Sequence, residues 1–299
     1  MKTRLLVIIV TYNAMEWIER CLTSIYRSTM IPDTFIIDNG SSDGTQEYIQ
    51  KNWEQIIFIQ NRHNSGFGQA NNIGLQYAVD QSYDYVYLLN QDAWVEDTTF
   101  EKLIGQHIKH PEFGIISPIQ IQANGRHLDK NFLHDVAART IDSNLLEDLV
   151  LGQAEDIYQV TDVMAAHWLL SAECIRKVGG FSPSFQHYGE DNNYALRARY
   201  HNLKIGIVPA AKGIHDREQR KNSIDDPVFA LNILFLKATG NIFKKIKWHD
   251  LLWKFVRLTF QHGTFRQYRF LFTHLANIRF ILKNRKDSKQ EGAFLNLYH

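Results

Sequence analysis

Two adjacent carboxylates, Glu190 and Asp191, stand immediately before a segment of helical composition, Asn192–Tyr200. A carboxylate held beside an attacking hydroxyl takes its proton as the new bond forms. An acidic pair in this place also complements the positive end of a helix dipole, and the residues alone leave both roles open. Asn90-Gln91-Asp92 offers carboxylate oxygen, the donor that holds Mg²⁺ or Mn²⁺ against the charge of a diphosphate. His215, in Gly213-Ile214-His215-Asp216, offers an imidazole that ligates Mn²⁺ or donates to phosphate, although a single histidine serves structure equally well. Lys212, Arg217 and Arg220 add positive charge around it. Asp38 ends an apolar run. From there a carboxylate can accept from a uracil or thymine N–H or from ribose hydroxyls, or it can simply form a turn.

Positioning these groups requires a scaffold of strands and helices. Leu5–Val10 is a continuous, β-branched apolar run, the pattern of a parallel strand covered on both faces. Glu16–Ser28 carries Trp17, Cys21, Leu22 and Ile25 at helical spacing. Thr34–Ile37, Ile56–Gln60 and Tyr85–Leu89 read as further strands, separated by helices over Thr45–Trp53 and Gln69–Val79. A late strand is expected at Ile205–Pro209. This alternation predicts a three-layer α/β domain with a mostly parallel sheet. Polar clusters follow the strands at Thr11-Tyr12-Asn13, Asp38-Asn39, Asn61–Gly66 and Asn90-Gln91-Asp92. Each alone is compatible with an ordinary turn. Together they point to one shared site, because ligands of open α/β sheets bind at the carboxyl ends of the strands.

The chain has 299 residues, 44% hydrophobic and 22% charged, with a net charge of +1. These values describe a globular protein and give no overall pull towards nucleic acid. Cys21 and Cys174 form neither a disulfide scaffold nor a metal site, so a reducing cytoplasm is expected. The apolar run after Arg4 is too short for a signal peptide, and no run is long enough to span a membrane. Beyond Ile224 strand signals give way to aromatics from Phe229 to Phe280, among them Trp248, Trp253 and the run from Phe255 to Phe272. Thirteen Lys or Arg lie between Lys237 and Gln290, against Asp250 and Asp287. Such helices dock on an anionic membrane surface, or pack against the rest of the chain or a partner subunit. The boundary is expected near Asp225-Asp226-Pro227, since proline readily opens a helix. It separates residues 1–223 from a helical extension over 224–299.

Six blocks and one histidine come in a recognisable order: Val7–Asn13, Ile36–Thr45, Asn64–Gly74, Leu88–Ala93, Val178–Phe181, Tyr188–Asp191 and His215. The set resembles the family 2 glycosyltransferases of the GT-A fold, and among them the rhamnosyltransferase-like members. The resemblance implies the nucleotide-diphospho-sugar transferase architecture, a three-layer α/β/α sandwich. It implies inverting transfer of a sugar from a UDP- or dTDP-linked donor to a hydroxyl of a glycan or lipid-linked glycan, in cell-surface polysaccharide synthesis. Asp191 matches the family's catalytic base, with Glu190 orienting it or binding acceptor. Asp38 takes the base-reading role, and Thr11, Asn13, Asn39, Asn64, Gly66, Asn71, Asn90 and Gln91 shape the nucleotide pocket. Asp92 and His215 take the Mn²⁺ or Mg²⁺ and diphosphate contacts.

One departure stands out: Asn90 replaces the first carboxylate of the family's Asp-x-Asp motif, leaving Asp92 as its only one. Tyr188 falls on the acceptor side. Trp168 stacks on an acceptor sugar or, equally, packs in the core. The implied setting is the cytoplasm, or the inner face of the cell membrane, as a monomer or homo-oligomer and without nucleic acid. A non-catalytic sugar-nucleotide-binding or scaffolding protein is the alternative that Asn90 raises. A dinucleotide-dependent enzyme is disfavoured because Asn71 stands where the third glycine of Gly66-Phe67-Gly68-Gln69-Ala70-Asn71 would be. A nucleotidyltransferase would need a basic, glycine-rich loop where Thr11–Glu16 stands.

Overall fold

The structure is a computed structural model; it describes residues 3–139, 141, 144–186, 188–217, 227–253, 256 and 277–297. Strand β1 (Leu5–Thr11) lies between β2 (Asp33–Asp38) and β4 (Tyr85–Asn90), and β3 (Ile57–Gln60) adds outside β2, all parallel. Side chains alternate across this half of the sheet, as the period of two requires. Leu6, Ile8, Phe35, Ile37, Val86 and Leu88 face one core. Leu5, Val7, Ile9, Ile36, Tyr87 and Leu89 face the other. Helix α3 (Phe67–Asp80) covers the first face, while α1 (Ile18–Tyr26) and α2 (Thr45–Asn52) cover the second. The expected three layers are present.

Helix α1 starts two residues later than its apolar spacing suggested. The preceding amides are held from outside the helix, Ala14 N–H donating to Thr45 Oγ1 and Met15 N–H to Asp43.

The middle of the chain completes the sheet. β5 (Ala93–Val95), α4 (Thr99–Lys109), β6 (Phe113–Gln122), α5 (Lys130–Arg139), α6 (Leu145–Leu151), β7 (Tyr158–Val160), β8 (His167–Ser171), α7 (Ala172–Val178), α8 (Glu190–Tyr200) and β9 (Lys204–His215) follow in order. The sheet runs β3-β2-β1-β4-β8-β6-β9-β5, with β7 also on β9. β8 joins antiparallel to both β4 and β6, so beyond β4 the sheet is mixed.

β9 is much longer than the strand read at Ile205–Pro209. Its pairing with β6 jumps from Pro118–Val208 to Ile119–Lys212, so Pro209, Ala210 and Ala211 form a bulge. The bulge re-aims the end of β9 onto β5, where Ala93 pairs with His215. That register brings His215 next to Asp92.

Helix α9 is described over Pro227–Gly240; the expected boundary falls among residues outside the described ones, as do Arg220 and the aromatic run from Phe255 to Phe272. Phe185, Leu236 and Ile281 form a small core beneath it. Trp248 and Trp253 are 47% and 71% exposed, so these two aromatics do not bury their rings against the body. After a helix at 277–287 the chain runs back over α3 and α7 without regular structure. Gly180 N–H donates to Ala293 O and Asn296 N–H to Gln76 Oε1. Gly179 sits at φ +80°, where a Cβ would run into the Ala293 carbonyl. Among the described residues no helix is long and apolar enough to cross a membrane.

Candidate active site

At the carboxyl ends of β1, β2 and β4 the loops enclose a cleft of about 460 Å³. Tyr12 and Asn13 follow β1, Asn39 follows β2, and Asn90 and Gln91 lie at the end of β4. Glu190 and Asp191, at the start of α8, line it as well, with Tyr188, and Arg217 lies just beyond β9. Three strand ends and one helix start, remote in sequence, thus share one cavity. Gln91 ties two of the loops together: its Oε1 accepts from Tyr12 N–H at 2.7 Å and its Nε2 donates to Tyr12 O.

Several expected site residues stand behind this wall rather than on it. Asp38 is fully buried, and its carboxylate accepts from Thr11 Oγ1, Ser41 Oγ, Gln46 Nε2 and the Gly40 and Ser41 amides. It is the hub that shapes the loop carrying Asn39; Thr11, also buried, spends its hydroxyl on it. Asn71 is buried in α3, with Nδ2 on Phe67 O. Trp168 is fully buried, donating Nε1–H to Val163 O and stacking near Phe181 and Tyr194. The structure places it in the core, and the acceptor-stacking role expected of it is corrected accordingly.

The Asn64–Gly66 loop touches the turn that precedes α8. Asn64 Oδ1 accepts from Gly66 N–H at 2.9 Å, and Asn39 Nδ2 reaches Gly66 O. Gly66 has φ +84°, and a Cβ there would meet the Gln186 carbonyl oxygen. Strain and a backbone clash act together, so Gly66→Ala is expected to lower stability by about 2 kcal/mol or more. Urea unfolding midpoints measure it, and an unchanged midpoint would show that the two loops do not press on each other.

His215 is fully buried, its Nε2 3.5 Å from Asp92 Oδ1 and its Nδ1 3.6 Å from Asp129 Oδ2. Asp129 escaped the sequence reading because only the β9 bulge brings it there; its other oxygen caps α5 through Asn131 and Phe132 N–H. Behind His215 lies His167, whose Nε2 is 3.0 Å from Ile214 O and whose Nδ1 is 2.8 Å from Tyr87 OH. A carbonyl only accepts, so Nε2 carries the proton and Tyr87 donates to Nδ1. Burial, then the neighbouring His215, pushes His167 down to about 3, which keeps its ring neutral. Asp92 and His215 do not line the cleft; they lie just under Asn90, whose Nδ2 is 3.4 Å from His215 Nε2.

Glu190 is 9% exposed and is pushed up to about 8, first by burial and then by the negative charge of Asp191. At neutral pH Glu190 therefore favours its protonated form. Asp191 Oδ1 accepts from Asn192 N–H at 2.7 Å.

The model of the family described as "Glycosyl transferase family 2" matches residues 6–178, more than half of the chain's 299 residues. The chain belongs to glycosyl transferase family 2. Its curated relatives include the low-salt glycan biosynthesis hexosyltransferase Agl10 of Haloferax volcanii, 23% identical over 71% of this chain and 66% of that protein. Another is a Staphylococcus aureus poly-beta-1,6-N-acetyl-D-glucosamine synthase, 35% identical over 36% of this chain and 26% of the synthase. The chain thus spans less than two thirds of the length of these relatives. Among solved structures it resembles S. aureus TarS 1-349 in complex with UDP-GlcNAc, with a TM-score of 0.57 and 14% identity over 87% of this chain and 73% of TarS 1-349. GalNAc-T7 with UDP, GalNAc and Mn²⁺ gives 0.57 and 15%, over 92% of this chain and 57% of GalNAc-T7. At these identities the two structures show the fold.

In this family 2 chain the match ends at Val178, before the acidic pair and His215. Asn13, Asn39, Asn64, Asn90, Gln91, Tyr188, Glu190 and Asp191 meet on the cleft wall, whereas Thr11, Asp38, Gly66, Asn71, Asp92 and His215 support it from behind. Phe67 and Met164–Ala166 also line the cleft and carried no polar signal that a sequence reading could use.

Proposed function

We propose that this chain performs inverting transfer of a sugar from a UDP- or dTDP-linked donor to a hydroxyl of a glycan or lipid-linked glycan. The observation that carries the proposal is the shared cleft, lined by Asn13, Asn39 and Asn64 together with Tyr188 and Asp191. The acceptor oxygen attacks the anomeric carbon and forms the new C–O bond. The bond to the diphosphate breaks, the electron pair leaves on the nucleoside diphosphate, and Asp191 takes the hydroxyl proton. Glu190, protonated beside it, limits the negative charge facing the donor. Arg217 lines the cleft as a cation for the departing diphosphate.

A divalent cation fits the donor set, because Asp92 oxygen and His215 nitrogen lie 3.5 Å apart and both residue types ligate Mn²⁺. Asp129 sits on the other ring nitrogen of His215, and among the described residues no three His, Cys, Asp or Glu could hold one ion together, so further ligands would come from diphosphate or water. When bound, the ion would neutralise leaving-group charge. The Mn²⁺ and UDP held by the GalNAc-T7 fold relative support this reading.

UDP- or dTDP-sugars are expected to raise the melting temperature by several degrees, on the order of what about 100-fold saturation gives, and more so with Mn²⁺. A screen of UDP-, dTDP- and GDP-sugars by thermal shift tests it. Stabilisation by none of them removes the donor site.

A further inference from the structure

A second pocket, of about 310 Å³, opens beyond the acidic pair. Gly189 and Asn192, which flank Glu190 and Asp191, form its near wall. Arg199 from α8 and Lys237 from α9 supply its cations, with Asn241 also in the lining and Asp162 as its carboxylate. Asp162 already accepts a hydrogen bond from Asn192 Nδ2. Lys237 and Arg199 are exposed, and among the described residues neither has a carboxylate within the 4.0 Å of an ion pair. The Lys237 side chain reaches back to the catalytic turn: its Cε lies 3.5 Å from where a Cβ on Gly189 would stand. Arg199 lies over Phe243, 5.9 Å from the ring centroid, which fixes its direction. Asn193 Nδ2 donates to Gly240 O, so α8 and α9 are pinned together at the pocket's edge.

A pocket with two cations free of ion pairs and one engaged carboxylate selects an anion over a neutral sugar. Its position is equally specific. The donor cleft holds Asp191 on one side of the α8 start, and this pocket begins on the other. Arg199 and Lys237 both lie past residue 178, where the family match ends, and Lys237 comes from the C-terminal segment of this chain.

We propose that this pocket binds an anionic group of the acceptor, a phosphate or a carboxylate, adjoining the hydroxyl that Asp191 deprotonates. The inference rests on the glycosyl-transfer reading and narrows its acceptor class. Glucose 1-phosphate, glucuronate and glucose are titrated by calorimetry into protein saturated with UDP and Mn²⁺. The wild type, the double variant Lys237→Gln/Arg199→Gln and the conservative variant Lys237→Arg are compared. The expected result is that at least one anionic sugar binds ~10-fold or more tighter than glucose, in line with two charge-assisted contacts. The double variant loses that preference, Lys237→Arg keeps it, and UDP affinity stays within about twofold in all three, because both side chains lie outside the donor cleft. A preference for glucose 1-phosphate over glucuronate assigns phosphate, and the reverse assigns carboxylate. Equal binding of all three sugars, or an anion preference that survives in the double variant, overturns the proposal. Failure of UDP itself to bind would sink the donor site instead; the same titrations without UDP, compared across the variants, would still read the two cations.

Discussion

Replacing Asp191 with Asn is expected to lower the rate of sugar transfer by ~10²–10⁴ and to leave donor affinity within about twofold. Asn matches Asp in size and still accepts from Asn192 N–H, as the carboxylate oxygen does at 2.7 Å. What disappears is the ability to take a proton. The competing role for an acid at the first turn of α8, compensation of the helix dipole, predicts something different. Such compensation is worth about 0.3–1 kcal/mol of stability and nothing in turnover. Single-turnover rates with a working donor and acceptor, measured beside urea unfolding curves, separate the two. A variant with wild-type turnover and a small stability loss would reduce Asp191 to a helix residue.

Much of the parallel half of the sheet was legible because its strands are buried on both faces and announce themselves as unbroken apolar runs. Leu5–Val10 and Tyr85–Leu89 fall within β1 and β4 for this reason. The polar residues after them were legible as one site because strand ends in such a sheet converge. Less legible was which of those residues face the cavity. Asp38 and Asn39 are neighbours, yet Asn39 lines the cleft and Asp38 lies buried under it. Both are polar residues at one strand end, and only the donors gathered around Asp38 decide. Trp168 posed the same difficulty, since every residue of β8 is buried and no alternation marks a solvent side. The sequence places His215 after a strand. It ends one instead, because Pro209 reads locally as a stop and is absorbed in a bulge. Asp129 and Lys237 reach the neighbourhood of the acidic pair and His215 through tertiary packing alone.

The adjacent acid supplies a test with an internal control. Glu190 ordinarily titrates near 4.5 and in this fold is raised to about 8, chiefly by burial, then by Asp191, with Lys237 pulling the other way. A raised carboxyl favours the protonated native state, so its contribution to stability is whole below the unfolded value and is lost as pH rises through the folded one. The loss falls between pH 4.5 and about 8 and levels off above. Its size is on the order of 3–5 kcal/mol. Glu190→Gln keeps a neutral side chain of the same shape and escapes this loss. Its stability relative to wild type is expected to climb across that window, whatever constant offset the amide adds. Urea unfolding at pH 5 and pH 9 measures the climb; an offset that does not change with pH would mean that Glu190 is not held protonated by the fold. Turnover gives the second reading. Above pH 8 the wild type acquires the Glu190 charge beside the donor's diphosphate and slows, whereas the Gln variant lacks that limb. At neutral pH Glu190 already carries its proton, so the Gln variant should lose far less turnover than Asp191→Asn. If instead Glu190→Gln is the more damaging of the two, the base is Glu190, and Asp191 serves to hold it.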